Sequence, residues 1–438
     1  MNHQLNFHEK PELLLQKLIQ FNTSNPPGNE KACIQFIEKL LLQYGIESEI
    51  LYKDENRPNL IARLKGEGET SPIMLYGHVD VVTTENQSWT HPPFSGEIID
   101  GVVWGRGALD MKGGVAMMIA AFLKAKVNKI PLSGDVLLVI LSDEEAGGDY
   151  GAKFLVEEHP SLFKDIQYAI GEFGGFTLYI ADKRFYPIMV AEKKICWMKL
   201  VIKGKGGHAA LPIRDEAMAK LSKLLKKLNN RMPVHITPEV KLMLEGISNH
   251  MPPAKKMAIK QLLNPRMTNF AINRLGEHGE LVDSLLHNTV APTIIRTTEK
   301  VNVIPSEIEV ELDGRVLPGF SEEDYLKELK QLINDDSIEV EVVRSDIAHT
   351  NIKMQHFYTL ADIINEYDPD GIPIPFILPG VTDGRHFARL GIQTYGFLPM
   401  NLPPEINVAR TIHTEDERIP VESLFFGMTC IYKTLQTF

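Results

Sequence analysis

Cysteine is scarce in this 438-residue chain. Cys33, Cys196 and Cys430 are odd in number and far apart, which suits reduced thiols in core positions and excludes a disulfide frame or a thiolate zinc knuckle. Any metal must therefore be held by histidines and carboxylates. Positive charge is also in deficit: Lys and Arg number 46 against 57 Asp and Glu, a net charge of −11. A field of that sign repels a phosphate backbone, so no nucleic-acid partner is expected. Long apolar runs are missing as well, since the longest, Val115 to Leu123, is about half of the ~18 to 20 residues that a membrane-spanning helix needs. The start, Met1-Asn2-His3-Gln4-Leu5-Asn6, has neither a cationic segment followed by an apolar core nor a small-residue cleavage site. No membrane partner and a cytoplasmic location are the expectations. Nor are there GxSxG, HExxH, GxGxxG or GxxxxGK[ST] spacings where such chemistry would need them, which disfavours a serine hydrolase, an HExxH protease and a phosphate-cradling loop.

What is present is globular: 44% hydrophobic and 24% charged residues, in a length that suits two or three domains. From Asn59 to Asp143 short apolar runs alternate with one long helical segment, as βαβ units do. Pro72 to Gly77 and Asp135 to Leu141 read as buried strands and Met111 to Val127 as the helix crossing between them, which predicts a central sheet with parallel strands. A second style begins near Cys196. Trp197 to Lys203 alternates like a half-exposed strand, Ala217 to Leu228 is an amphipathic helix, and strands Glu307 to Leu312 and Ile338 to Val343 flank a helix over Ser321 to Asn334. That pattern predicts a smaller open-faced α/β sandwich. Buried strands return in Ile374 to Leu378 and Ile392 to Leu398, so the small domain is read as inserted into a discontinuous larger one. Thr237 to Leu286 is helical and rich in Lys, Met and Leu, with no chemistry to assign to it.

In open α/β sheets the functional edge lies at the carboxyl ends of the strands. The first strand ends in His78-Val79-Asp80, which places both polar side chains on one side of an extended segment, as a ligand and its orienting carboxylate would stand. The bland alternative is a surface histidine beside a turn aspartate. Asp110, in Gly105-Arg106-Gly107-Ala108-Leu109-Asp110, precedes a helix and could be no more than its N-cap. Asp143-Glu144-Glu145 follows the second strand and repels itself unless a cation or water intervenes. Glu172 follows Tyr168-Ala169-Ile170, while His208 and His413 lie on later loops. Two histidines and three or four carboxylates without thiolates match a two-metal hydrolytic centre for zinc, manganese or cobalt, with a shared carboxylate and an activated water.

With those motifs in that order, the chain resembles, over nearly its whole length, the co-catalytic zinc metallopeptidases that include aminoacylase, acetylornithine deacetylase, succinyl-diaminopimelate desuccinylase, glutamate carboxypeptidase and yeast carboxypeptidase S. The resemblance implies that His78, Asp110 and Glu172 hold one metal and Asp110, Glu145 and His413 the other, with Asp110 bridging. It implies that Asp80 orients His78, that Glu144 is the general base, and that His208 stabilises the oxyanion from a lid, reaching into the neighbouring subunit's site in family dimers. Asn302 is similar to a lid residue that touches substrate, Arg385 in Thr382-Asp383-Gly384-Arg385 to a binder of the substrate carboxylate, and Arg315 to a lid residue that either touches substrate or holds the lid sheet together.

The expected organisation is a metal-binding catalytic domain over residues 1–192 and 348–438, with a largely parallel mixed sheet flanked by helices. A lid and dimerisation domain over 193–347 is inserted in it, with a helical insertion near 237–286. Many members carry Asp where this chain has Glu172; Glu belongs to the aminoacylase and carboxypeptidase S branch, and Gly396 to Asn401 is also similar to aminoacylase. The resemblance implies a homodimer that hydrolyses an amide next to a free carboxylate in an N-acyl amino acid or short peptide, using two divalent ions, zinc first and manganese or cobalt next. A dipeptidase of the same fold and a silent metal-binding homologue are the rivals.

Overall fold

Apolar runs too uniform for a half-exposed sheet end up in the middle of one. In the computed structural model of the protein, residues 6–211, 213–214, 216–276, 279–346 and 352–438 are described. Met1 to Leu5 and the expected domain boundary at 347/348 lie outside the described residues. By its contacts the chain divides into two units, Met1–Ala191 with Ile352–Phe376 and Thr382–Phe438, and Glu192–Asn351 with Ile377–Val381.

The central sheet has nine strands in the order Ser48–Leu51, Asn59–Leu64, Val136–Leu141, Ile73–His78, Tyr168–Gly171, Gln393–Gly396, Lys183–Glu192, Ile372–Leu378, with Leu178–Ile180 paired to Lys183–Glu192 off this path. Ile73–His78 runs parallel to both Val136–Leu141 and Tyr168–Gly171, with His78 opposite Leu141. Gln393–Gly396 extends the parallel set beside Tyr168–Gly171. Both central strands, Ile73–His78 and Val136–Leu141, are buried at every position, the reason their sequences show no alternation. Helix Lys112–Asn128 is likewise buried on all sides from Lys112 to Leu123, so its apolar residues form no stripe.

Lys112 is the one buried charge of that helix. Its ammonium donates to the carbonyls of Leu18 at 3.0 Å and Phe21 at 2.7 Å, capping the end of helix Pro11–Ile19, and burial pushes it down to about 8. Gly113 is needed beside it, because a Cβ there would stand 2.1 Å from the Ala108 carbonyl oxygen. The loop carrying Asp110 therefore packs directly on the start of this helix.

In the second unit four antiparallel strands follow the order Thr289–Arg296, Glu307–Val316, Lys194–Lys203, Ile338–Ser345. Glu307–Val316 alternates strictly between buried and part-exposed positions. Its inner residues Ile308, Val310 and Leu312 share a core with helices Ala217–Leu228 and Glu322–Ile333, and its outer residues face a charged surface where Lys199 meets Glu341 at 3.0 Å. Ser321 caps the second of these helices in a reciprocal capping box with Asp324.

The stretch read as one helical region is four helices, Pro238–Asn249, Pro253–Leu262, Thr268–Arg274 and Gly279–Leu286. Lys193, fully buried, ties down the end of the last by donating to the carbonyls of Ser284 at 3.0 Å and His287 at 2.9 Å.

Candidate metal centre and active site

Three parallel strands end on one edge, and each delivers a ligand type there. His78 closes its own strand, Glu145 lies in the turn after Val136–Leu141, and Glu172 follows Tyr168–Gly171. Asp110 arrives on the loop before helix Lys112–Asn128. It is not that helix's N-cap: the cap is Met111, without a side-chain bond, because the Asp110 carboxylate is turned to two histidines instead. His78 Nε2 lies 3.4 Å from Asp110 Oδ1 and 3.1 Å from Glu172 Oε2. His413 Nε2 lies 3.2 Å from Asp110 Oδ2 and 3.4 Å from Glu145 Oε1. Asp110 thus offers one oxygen to each of two three-residue groups, within each of which the ligand atoms are at most 4.8 Å apart.

The polar atoms of these groups are mismatched without a cation. His78 Nδ1 is 3.0 Å from the Asp80 carbonyl oxygen, which can only accept, so the ring proton sits on Nδ1. A neutral ring then aims its Nε2 lone pair at carboxylate oxygens. His78 Nε2, Glu145 Oε1 and Glu172 Oε2 are all buried without a hydrogen-bond partner. Burial pulls the His78 imidazole down, but Asp110, Asp80 and Glu172 outweigh it and raise the ring well above its ordinary value. Asp110 and Glu145 push His413 up to about 10. Burial drives Glu145 and Glu172 up, and Glu144 furthest, with the Glu172 charge adding to it. These groups call for positive charge; four carboxylates around two neutral imidazoles fit two divalent cations held by nitrogen and oxygen.

The turn bearing Glu144 and Glu145 is held from behind. Asp80 accepts both of their backbone N–H groups at 3.1 Å, and its second oxygen also takes the Asn25 amide at 2.9 Å. Asp143, the third acid of the run, is not part of the cluster. Held in the left-handed region at φ 72°, it accepts from Tyr150 N–H at 3.0 Å and pairs with Arg57 at 2.8 Å, while Arg57 also grips buried Glu30 at 2.9 Å. The repulsion that the acidic run implied is thus relieved for one member by an arginine.

Arg385 is buried beside the same turn, donating from Nη1 to the Thr382 carbonyl at 3.0 Å and from Nη2 to the Gly147 carbonyl at 2.9 Å, with Nε buried and unpartnered. Its neighbour Asp383 has both oxygens buried without partners, and burial pushes its carboxyl up to about 7.

The remaining expected residues lie in the second unit. His208 and Asn302 meet in a small ribbon in which Gly207–His208 pairs with Val303–Ile304 and Ala209 N–H reaches the Asn302 carbonyl at 3.1 Å. His208 Nδ1 accepts from Ala210 N–H at 3.1 Å, so a neutral ring carries its proton on exposed Nε2. Arg315 is bidentate to Asp313, at 2.8 and 3.0 Å, on the outer face of the sheet, an arrangement that braces the strand. Asn25, Arg57, Glu30 and Asp383 escaped the sequence reading. Arg57 and Glu30 carry no local signature, since only the folded chain makes them partners.

A profile of peptidase family M20/M25/M40 matches residues 74–437. Probable carboxypeptidase S-like 2 of Dictyostelium discoideum is 28% identical over 386 residues, covering 83% of this chain and 71% of that protein. N-fatty-acyl-amino acid synthase/hydrolase PM20D1 of Homo sapiens is 26% identical over 376 residues, covering 83% and 74%. Among solved structures, the M20 family metallo-carboxypeptidase Sso-CP2 of Sulfolobus solfataricus has the same fold, with a TM-score of 0.67 at 15% identity over 97% of this chain and 98% of that one.

Two outcomes follow from this geometry. Arg57→Met leaves Glu30 and Asp143 buried without a counter-charge, and urea denaturation should show a loss of about 3–5 kcal/mol; a loss under about 1 kcal/mol would contradict the pairing. In the metal-stripped protein, His413 has a folded value of about 10 against an ordinary 6.5. Its contribution is therefore complete below pH 6.5 and disappears as pH rises toward about 10. Thermal melting of stripped protein should show that decline, and His413→Ala should flatten it; identical pH profiles for the two would refute the assignment.

Proposed function

We propose, for a chain that belongs to peptidase family M20/M25/M40 and is a metal-dependent hydrolase of amide bonds, that it cleaves the amide next to the free carboxylate of an N-acyl amino acid or short peptide. The observation that carries this reading is the pair of ligand groups sharing Asp110, with Glu144 in the same turn as Glu145. His78, Asp110 and Glu172 would hold one divalent ion and Asp110, Glu145 and His413 the other, with zinc preferred and manganese or cobalt acceptable to the same nitrogen and oxygen donors. Such ions would polarise the scissile carbonyl and make water acidic enough to attack near neutral pH.

Glu144 takes the proton of the attacking water and returns it to the departing nitrogen. Its raised carboxyl supports this role, because a shuttle must both accept and donate near the working pH. Asp80 holds its backbone and fixes the His78 ring through Nδ1. Arg385 pairs with the substrate carboxylate; the two carbonyls that it grips set the guanidinium's plane and leave Nε–H for the ligand. In a homodimer, His208 would donate its ring N–H to the oxyanion in the neighbouring subunit's site, as the family resemblance implies, and Asn302, beside it in the ribbon, would contact substrate there. Arg315 serves the sheet through Asp313.

The names of two relatives, a carboxypeptidase S-like protein and an N-fatty-acyl-amino acid synthase/hydrolase, support an N-acyl amino acid or a peptide carboxyl terminus as substrate. Among the described residues no helix is long and apolar enough to cross a membrane. The three buried free thiols support a reducing compartment, the cytoplasm. A homodimer through the second unit is supported by its edge strand Thr289–Arg296, where Ile294 and Ile295 are exposed.

Glu144→Gln should lower kcat by about 10²–10⁴-fold with metal content unchanged, as elemental analysis would show; loss of metal with activity would make Glu144 a ligand instead. On a panel of N-acyl amino acids and dipeptides, the N-acyl amino acids should be turned over best. A preference for dipeptides with free amino termini would move the activity to a dipeptidase, and metal uptake without any turnover would indicate a silent homologue.

A further inference from the structure

The proposed function uses His413 and Asp110 and leaves two neighbouring motifs unexplained. One is the loop Gly105-Arg106-Gly107 ahead of Asp110; the other is the acid at the end of His413-Thr414-Glu415-Asp416-Glu417. In the structure they meet. Glu417 is fully buried. Its Oε1 accepts from Leu109 N–H at 2.7 Å and Asp110 N–H at 3.0 Å, and its Oε2 from Gly107 N–H at 3.0 Å and Arg106 Nη1 at 2.8 Å. The converging N–H groups form an anion nest, and its occupant is the protein's own carboxylate.

Arg106, 1% exposed, leads back to the other histidine segment. Nη1 also donates to the Thr414 carbonyl at 3.1 Å and Nη2 to Gln87 Oε1 at 2.8 Å, with the guanidinium over the Trp89 ring at 5.1 Å. Gln87 Nε2 in turn donates to the His413 carbonyl at 2.9 Å. A closed ring of bonds therefore joins the backbone of Asp110 to the backbone of His413, two residues far apart in the sequence whose side chains converge.

We propose that Glu417, Arg106 and Gln87 are positioning residues for the two-cation centre, Glu417 setting the residue shared by both groups and Gln87 setting the histidine that belongs to only one. This rests on the two-cation reading above. The arrangement distinguishes positioning from mere stapling, because the effects on the two ions differ: disturbing Asp110 weakens both, and disturbing His413 weakens one. Outer partners of ligands typically contribute 10–100-fold in metal affinity.

The experiment is zinc titration of metal-stripped wild type, Glu417→Gln and Gln87→Ala against a chromogenic chelator, with circular dichroism and melting of the stripped proteins in parallel. Glu417→Gln should weaken both zinc dissociation constants by about 10–100-fold, and Gln87→Ala one of them, leaving the other within about twofold of wild type. Both variants binding two ions as tightly as wild type would overturn the proposal, as would an equal loss at both sites in Gln87→Ala. Should Glu417→Gln fail to fold, Gln87→Ala decides: one weakened site upholds positioning, and unchanged binding rejects it. Wild type that takes up no zinc defeats the two-cation reading itself, and this inference with it.

Discussion

Carboxylates crowd against two imidazoles at one edge of a buried sheet, and their mutual repulsion is the constraint to which the rest of the structure answers. Asp110, Glu145 and Glu172 point oxygens at His78 and His413 from 3.1 to 3.4 Å, with Glu144 in the same turn. In a low-dielectric setting such a cluster is costly unless positive charge enters it. Protons on the two histidines relieve part of it, which is why both rings are held above their ordinary range. Divalent ions would relieve more of it, and the same crowding would then favour their binding.

The surrounding fold keeps these groups from swinging apart. It does so largely with backbone N–H donors: Asp80 gathers those of Glu144 and Glu145, and Glu417 those of Gly107, Leu109 and Asp110. Buried carboxylates that collect donors in this way are stable charges. Where donors do not suffice, arginine completes the pairing, as Arg57 does for Glu30 and Asp143 and Arg106 for Glu417. The edge that carries the ligand groups is therefore backed by a layer of acids, Asp80, Glu417, Glu30 and Asp143, each with its own donors or arginine.

Much of this was legible in the chain itself. Ile73–His78 and Val136–Leu141 announce themselves as uninterrupted apolar runs, and polar residues that follow such a run stand out, which is how His78, the acidic run Asp143-Glu144-Glu145 and Glu172 come into view. Their grouping into two sets came from family resemblance, not from periodicity. Asp110 was ambiguous because an acid before a helix is also the mark of an N-cap; only its side-chain direction separates the two. Arg57, Glu30 and Asn25 were invisible, since their partners lie far away in sequence and nothing local distinguishes them. Glu417 carries no signal in the sequence, because most of its partners are backbone N–H groups, which have no residue identity. The helical stretch Thr237 to Leu286 shows its helical character but not its breaks, one of which falls before Pro253, where proline occupies the first helical turn as Pro238 does in the helix before it.

The most direct test of the charge-balance argument is a crystal structure of the zinc-loaded protein with anomalous difference density recorded at the zinc edge. Two peaks are expected, one among His78, Asp110 and Glu172 and one among Asp110, Glu145 and His413. A zinc-soaked crystal with no peak at either position, and with the imidazole-to-carboxylate contacts intact, would mean that protons alone balance the cluster and would contradict the metal centre.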